Sequence, residues 1–276
     1  MEPLRCANMF LTSSTGKKLP MSSNVPFPVN PDKVVLAGDW HGNTPRGIEV
    51  IRIAHELGAP VVLHLGDFGF WTPGPSTSRY LTRLNRECVE LGITLLWVDG
   101  NHECFTDLYL YPTNDEGVRP ILSNIIHLPR GFRWKWHTDT WMSLGGAHSV
   151  DTFTRKEGVS VWKEEHLSAR DVRHAIEGGH VDVMVTHDCP SGVDIPGLTN
   201  QFPDHELRKA AEHRETLSKV VDSVQPLMLF HGHYHVFYRA RRPRPSGGDT
   251  IVIGLADDMS PLRDNYMVLN LSQSGR

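Results

Sequence analysis

The chain predicts an α/β fold built on a parallel sheet, on three observations. Short apolar runs at Val34 to Gly38, Pro60 to Leu65 and Thr94 to Val98 alternate with two stretches whose apolar residues repeat at helical spacing. Each run is continuous rather than alternating, as in strands covered on both faces. Each also leads into Asp, Asn or His. A βαβαβ order needs crossovers, so the carboxyl ends of the strands lie along one edge and gather those polar residues.

The elements follow in order. Residues 1–31 are rich in Ser, Thr, Pro and Asn without periodicity, which reads as a flexible N-terminal arm or a surface strap. No Pro/Gly/Ser linker divides residues 32–276, so a single domain is expected there. Thr44-Pro45 reads as an N-cap with proline at the first helical position, followed by Ile48, Ile51, Ala54 and Leu57 at helical spacing up to Gly58. Leu81, Leu84, Cys88 and Leu91 mark a second helix that Gly92 ends. From Leu108 to His137 the chain reads as loop and then as alternating strand, with Phe132, Trp134 and Trp136 on one face. Trp141 to Ala147 is a further strand, and Ser168 caps a helix through Ile176. Val181 to Thr186 is a strand delivering His187, Asp204 opens a long helix, and Pro226 to Phe230 leads into His231-Gly232-His233-Tyr234-His235. Val236 to Ala240, Thr250 to Leu255 and Tyr266 to Leu271 read as closing antiparallel strands.

Composition narrows the function classes. With 276 residues, 39% hydrophobic and 22% charged, the chain can bury a full core. A formal net charge of -4 offers no long-range attraction to a polyanion, which argues against an extended nucleic-acid surface. Cys6, Cys88, Cys104 and Cys189 form no CxxC pair, as expected of reduced thiols in a cytoplasm. No apolar run approaches the roughly 18 residues a membrane span needs. A cytoplasmic protein without a membrane partner is the expectation.

Strand ends now deliver Asp39 and His41, Asp67, Asn101 and His102, His187, and His233 with His235. Imidazoles with carboxylates suit first-row divalent metals, whereas an all-oxygen set suits magnesium or calcium. One ion cannot use so many groups; two sharing a bridging carboxylate can. The series Asp-x-His, Gly-Asp, Gly-Asn-His-Glu, His, Gly-His-x-His, running from Asp39 to His235, resembles the calcineurin-like metallophosphoesterase family.

The resemblance implies a layered α/β/β/α sandwich of two mixed sheets, with the metal site at the carboxyl ends of the strands. It implies that Asp39, His41 and His235 hold one ion, that Asn101, His187 and His233 hold the other, and that Asp67 bridges them. Two divalent ions are the implied cofactors, manganese foremost, with iron, zinc, cobalt and nickel open. Such a pair, about 3.5 to 4 Å apart, clamps a phosphoryl group and brings a bridging water toward hydroxide for in-line attack. Counting charge, two dications, two aspartates and one hydroxide leave the shell net positive, so an anionic phosphate is attracted. His102, beside a ligand but not one itself, is the expected general acid, and Glu103 an orienter of its neighbours.

The second motif departs from the protein-phosphatase pattern Gly-Asp-x-Val-Asp-Arg-Gly, reading Gly66-Asp67-Phe68-Gly69-Phe70-Trp71. The aspartate that commonly orients the catalytic histidine is therefore missing. Phe68, Phe70 and Trp71, with Trp40 and Phe105, suggest a wall on which a nucleobase stacks. Arg155 and His148 are further candidates for substrate contact, Arg155 because a guanidinium matches phosphate geometry. Small members of the family, phage-encoded ones included, often hydrolyse phosphodiesters such as 2',3'- or 3',5'-cyclic nucleotides. The expected activity is therefore phosphodiester hydrolysis. A phosphomonoesterase, protein phosphatase or nuclease on the same site, or a non-catalytic scaffold of the same fold, remain alternatives.

Overall fold

A computed structural model describes residues 27–198 and 201–271. The first half alternates strand and helix: β1 (Lys33–Ala37), α1 (Thr44–Glu56), β2 (Val61–His64), α2 (Pro75–Leu91), β3 (Thr94–Trp97) and a single turn, α3 (Phe105–Leu108). Two short strands, β4 (Arg119–Leu122) and β5 (Ile125–His127), are followed by β6 (Arg133–Trp136) and β7 (Asp139–Leu144). Then come α4 (Ala169–Glu177), β8 (Val183–Thr186), α5 (Asp204–Val224), β9 (Met228–His231), β10 (Tyr238–Pro243), β11 (Asp249–Gly254), α6 (Leu262–Asn265) and β12 (Tyr266–Asn270).

The strands form two six-stranded mixed sheets, ordered β12-β1-β2-β3-β5-β4 and β10-β11-β9-β8-β7-β6. Strand periodicity explains how they stack. Val35 and Ala37 of β1 join Val50, Ile51 and Ala54 of α1 and Leu84 and Cys88 of α2 in one core, while Val34 and Leu36 face Val185, Phe230 and Ile253 of the other sheet. On the far side, Met184, Leu229 and Val252 pack on Leu217, Val220 and Val224 of α5. The layers therefore run α/β/β/α, with the continuous apolar strands covered on both faces as expected.

Helix ends show how local chemistry placed these elements. Asn43, not Thr44, caps α1: its Oδ1 accepts the Arg46 N–H at 3.1 Å. Ser168 and Asp171 form a reciprocal capping box at α4. Gly92, with φ 67°, closes α2.

Two expectations need correction. The stretch before Phe132 holds β4 and β5 rather than loop alone; Pro120 argues against a strand, and β4 admits it because it is an edge strand. The closing strands are not uniformly antiparallel, since β11 runs parallel to β9 while antiparallel to β10. Strand β12 crosses to the first sheet and pairs antiparallel with β1. Of the proposed N-terminal arm, residues 1–26 lie outside the described residues. Residues 27–31 lie against β6: Phe27 packs on Phe132, Trp134 and Trp136, and the Trp136 Nε1–H donates to Pro28 O at 2.9 Å.

Candidate metal centre

Five loops at the carboxyl ends of β1, β2, β3, β8 and β9 bring Asp39, His41, Asp67, Asn101, His102, His187, His233 and His235 to the junction of the two sheets. Close backbone approach makes this possible. A Cβ on Gly100 would collide with the Asp67 carboxylate, and one on Gly232 with that of Asp39, so the glycines in these motifs are steric necessities. His41, Asp67, His233 and His235 all have positive φ, between 45° and 69°. For residues other than glycine that is a cost of roughly 1–3 kcal/mol each, which the surrounding contacts must over-determine. Strain of this kind collects where a constellation is held for a purpose.

The ligand-type atoms of Asp39, His41 and His235 lie within 4.8 Å of one another, as do those of Asp39, Asp67 and His187. Asp39 Oδ2 stands 3.2 Å from His235 Nε2. Asp67 reaches both groups, with Oδ2 3.5 Å from His41 Nε2 and Oδ1 3.4 Å from His187 Nε2. Asp67 is thus within reach of imidazoles on both sides of the cluster. Asn101 Oδ1 lies 3.0 Å from His187 Nε2. His233 joins by its backbone N–H, which donates to Asp39 at 3.0 Å, and by its ring, whose centroid is 5.0 Å from that of His187.

Among the described residues no Lys or Arg pairs with Asp39 or Asp67, although both are buried. Imidazoles carry the compensation instead. Burial pushes His41 down, but the bond to Asp67 and the charges of Asp67 and Asp39 outweigh it and hold it up at about 10. His187 behaves likewise: burial opposes, the Asp67 charge prevails, and it also rises to about 10. For Asp67 burial acts upward, yet the charges of His102 and His187 leave it well below the usual carboxylate range. Two buried anions ringed by nitrogen donors fit divalent ions, which would take the place of these protons.

The support behind this ring was partly invisible in the sequence. Asp258 Oδ1 lies 3.0 Å from His41 Nδ1 and Asp257 Oδ2 lies 3.4 Å from His235 Nδ1. Each sets its imidazole so that Nε2 faces the centre. Their one sequence signal is an acidic pair just after the strand ending at Gly254. The Leu65 carbonyl, 2.8 Å from His187 Nδ1, does the same for that ring. Ser149 Oγ accepts from Asn101 Nδ2 at 2.9 Å, which turns the amide oxygen toward His187. Glu103, fully buried, accepts the Phe68 N–H at 2.7 Å and the Gly100 N–H, tying two loops together.

His102 sits beside the ring with Nε2 3.7 Å from Asp67 Oδ2. Among the described residues no carboxylate hydrogen-bonds its ring. The Arg155 guanidinium lies against it instead, Nη2 2.9 Å from Nε2, and is anchored to Asp151 at 2.8 Å. Burial holds His102 down, Asp67 opposes this, and the Arg155 charge adds to it.

Other candidates are corrected. Phe68 is fully buried against Tyr80 and Trp97, and Phe70, Trp40 and Phe105 are buried too, so these rings present no face to a ligand. Backbone turns at Gly66 and Gly69 direct the run into the core. Only Trp71 of that group is exposed, at 41%, standing over Gly42 and lining a cavity of about 420 Å³ with Arg79 and Arg83. His148 is buried, its ring nitrogens taken up by Glu206 and His166, and does not reach the cleft.

The sequence model of the calcineurin-like phosphoesterase family matches residues 32–237. The chain belongs to that family. Its members use a divalent metal centre, and the triads described above are the candidate ligands here. Comparison with curated proteins finds no match. Among solved structures, a dimetal phosphatase from Danio rerio superposes with a TM-score of 0.55 at 15% identity, covering 87% of this chain and 93% of its own. A Thermus thermophilus protein, at TM-score 0.48 and 14% identity, covers 87% of this chain and 99% of its own. An archaeal phosphodiesterase has a TM-score of 0.36 at 14% identity, covering 87% of this chain and 99% of its own. At these identities the first of them speaks to the fold alone. No described helix is long and apolar enough to cross a membrane.

Proposed function

We propose that this phosphoesterase is a dinuclear enzyme that hydrolyses small phosphodiesters, cyclic nucleotides among them. One observation carries the reading: two triads of His and Asp share Asp39, Asp67 reaches His41 as well as His187, and His102 backed by Arg155 stands beside them. Asp39, His41 and His235 would hold one ion; Asn101, His187 and His233 the other; Asp67 both. Bound there, manganese or a related dication supplies Lewis acidity toward a phosphoryl group and a nucleophile at neutral pH.

The chain's own residues do the rest. Arg155 pairs with a phosphate oxygen, and that pairing cancels the charge that otherwise disfavours protonation of His102. His102 then gives its proton to the leaving oxygen. A diester leaving group is an alkoxide that needs such a proton. The phosphatase-type second motif is absent, which disfavours phosphoproteins. Trp71, exposed beside Arg79 and Arg83, offers an aromatic and cationic face to a nucleoside.

The test is His102→Ala in manganese. Metal content by elemental analysis should match the parent, while turnover of a 2',3'-cyclic nucleotide, whose leaving group is an alkoxide, falls about 10²- to 10⁴-fold. Unchanged turnover would remove His102 from the chemistry. A panel of cyclic nucleotides, a phosphomonoester, a phosphoprotein and plasmid DNA separates the diesterase from its alternatives. Silence on every substrate with every first-row ion would favour a scaffold.

A further inference from the structure

One more group of metal-ligand types is gathered among the described residues, outside the two triads. His148, Glu165 and His166 each offer one ligand atom, all within 4.8 Å. His148 Nδ1 lies 2.7 Å from His166 Nε2, and Glu165 Oε1 lies 3.6 Å from the first and 3.7 Å from the second. Donors around a tetrahedral ion with bonds near 2.05 Å stand about 3.3 Å apart. The three separations straddle that value, so small side-chain shifts would seat three of the four ligands and leave the fourth position to water.

The surroundings prepare each ligand. His148 Nε2 lies 2.7 Å from Glu206 Oε2, so its proton points there and Nδ1 presents a lone pair. A ligand histidine that donates its distal N–H to a carboxylate is the usual backing of a bound ion. Thr152 Oγ1 in turn donates to the other Glu206 oxygen. Burial pushes His148 down and His166 down to about 4, which leaves both imidazoles neutral, the form that ligates.

Glu165 decides between two readings. A chain of hydrogen bonds from His166 through His148 to Glu206 satisfies the imidazoles without an ion. It leaves Glu165 buried, with only the Ser149 N–H at 3.1 Å and O–H at 2.8 Å as donors, and no Lys or Arg in ion-pair range among the described residues. A buried carboxylate without a cation is costly, and burial accordingly pushes Glu165 up to about 7, where a proton competes with a metal ion for it. A dication on its Oε1 removes that cost. Nearby His213, its ring centroid 5.9 Å from that of His166, is also buried, and its Nε2 has no partner among the described residues.

We propose that His148 Nδ1, Glu165 Oε1 and His166 Nε2 form a third site for zinc or a similar first-row dication. It shares no ligand with the phosphoesterase centre and stands whether or not that reading holds. The half-exposed His166 gives the ion its route from solvent. The site is structural, and it has one link to the centre: Glu165 Oε2 accepts from Ser149 Oγ, which accepts from the Asn101 amide. An ion there fixes the orientation of that amide.

Equilibrium dialysis of the full chain against zinc, followed by elemental analysis, tests this. His166→Ala removes a half-exposed ring and spares the core; Glu165→Gln is an isosteric second variant. Each should bind one zinc fewer per chain than its parent, both in the native background and in Asp67→Asn, where the phosphoesterase centre is crippled. Cobalt-loaded Asp67→Asn should show the visible absorption of four-coordinate Co(II), absent once His166→Ala is added. A zinc count equal to the parent's in either variant, or persistence of that band, overturns the proposal. Failure of the dinuclear reading would show elsewhere, as zinc unchanged by Asp67→Asn.

Discussion

Asp99 and Asp67 are both buried, both follow a strand of the first sheet, and both face imidazoles, yet they end in opposite states. Asp99 is closed. Arg130 donates to its Oδ2 through Nε at 2.9 Å and Nη2 at 2.7 Å, and His127 Nε2 lies 3.1 Å from Oδ1. Other Arg130 N–H groups reach the Glu164 and His166 carbonyls, each at 2.8 Å, and Nη1 lies 3.5 Å from the Asp171 carboxylate. Burial pushes His127 down to about 4, so it stays neutral, and the guanidinium alone balances the charge. Asp67 and Asp39 lack any such internal cation among the described residues and instead raise His41 and His187, whose imidazoles carry the compensating charge. One cluster is complete within the chain; the other is left open for a cation from outside.

Breaking the closed cluster should have the largest effect on stability. Arg130→Met leaves Asp99 buried and unpaired and should cost about 3–5 kcal/mol in urea unfolding. The double variant Arg130→Met with Asp99→Leu should recover much of it, because no charge is then stranded. If the single variant unfolds like the parent, the ion pair is not the clamp described.

Asp258→Asn probes the open cluster. It should leave the fold intact while weakening metal binding about 10- to 100-fold, as loss of a carboxylate behind a ligand histidine does. Isothermal titration with manganese reads it. Equal affinity would show that Asp258 does not orient His41.

A smaller effect separates the two by pH. Burial raises Asp99, but Arg130 and His127 more than reverse it, so its folded value lies well below the usual range. Its contribution is therefore present above about pH 4 and lost as the pH falls below that. In the metal-free protein His41 and His187 are raised to about 10, so their contribution is full below about pH 6.5 and lost as the pH climbs through about 10. Unfolding in a chelator should show both limbs. Asp99→Asn should flatten the acid one, and Asp67→Asn the alkaline one.

The parts of the site legible in the sequence were those whose spacing is local. Asp39 with His41, Asn101 with His102, and His233 with His235 are each near neighbours after a strand, so periodicity alone placed them at one edge. Ser168 announced its helix for the same reason, its cap bond to Asp171 spanning three residues. Groups joined across the fold were not legible. Asp258 meets His41 217 positions away, and Arg155 meets His102 53 positions away. Of the aromatic run after Asp67, Phe68 and Phe70 are core and Trp71 is exposed, because composition does not say which way a turn directs a ring.

The sequence by itself determined the family, the alternation of strands and helices, and the residue types at each strand end, since these depend on short-range pattern and sterics. Only the tertiary structure decided which acids stand behind which histidines, that an arginine occupies the place beside His102, and that His148 belongs to a separate cluster with Glu165 and His166. Those outcomes depend on which surfaces the two sheets bring together, and charge balance in a buried space is settled by all neighbours at once.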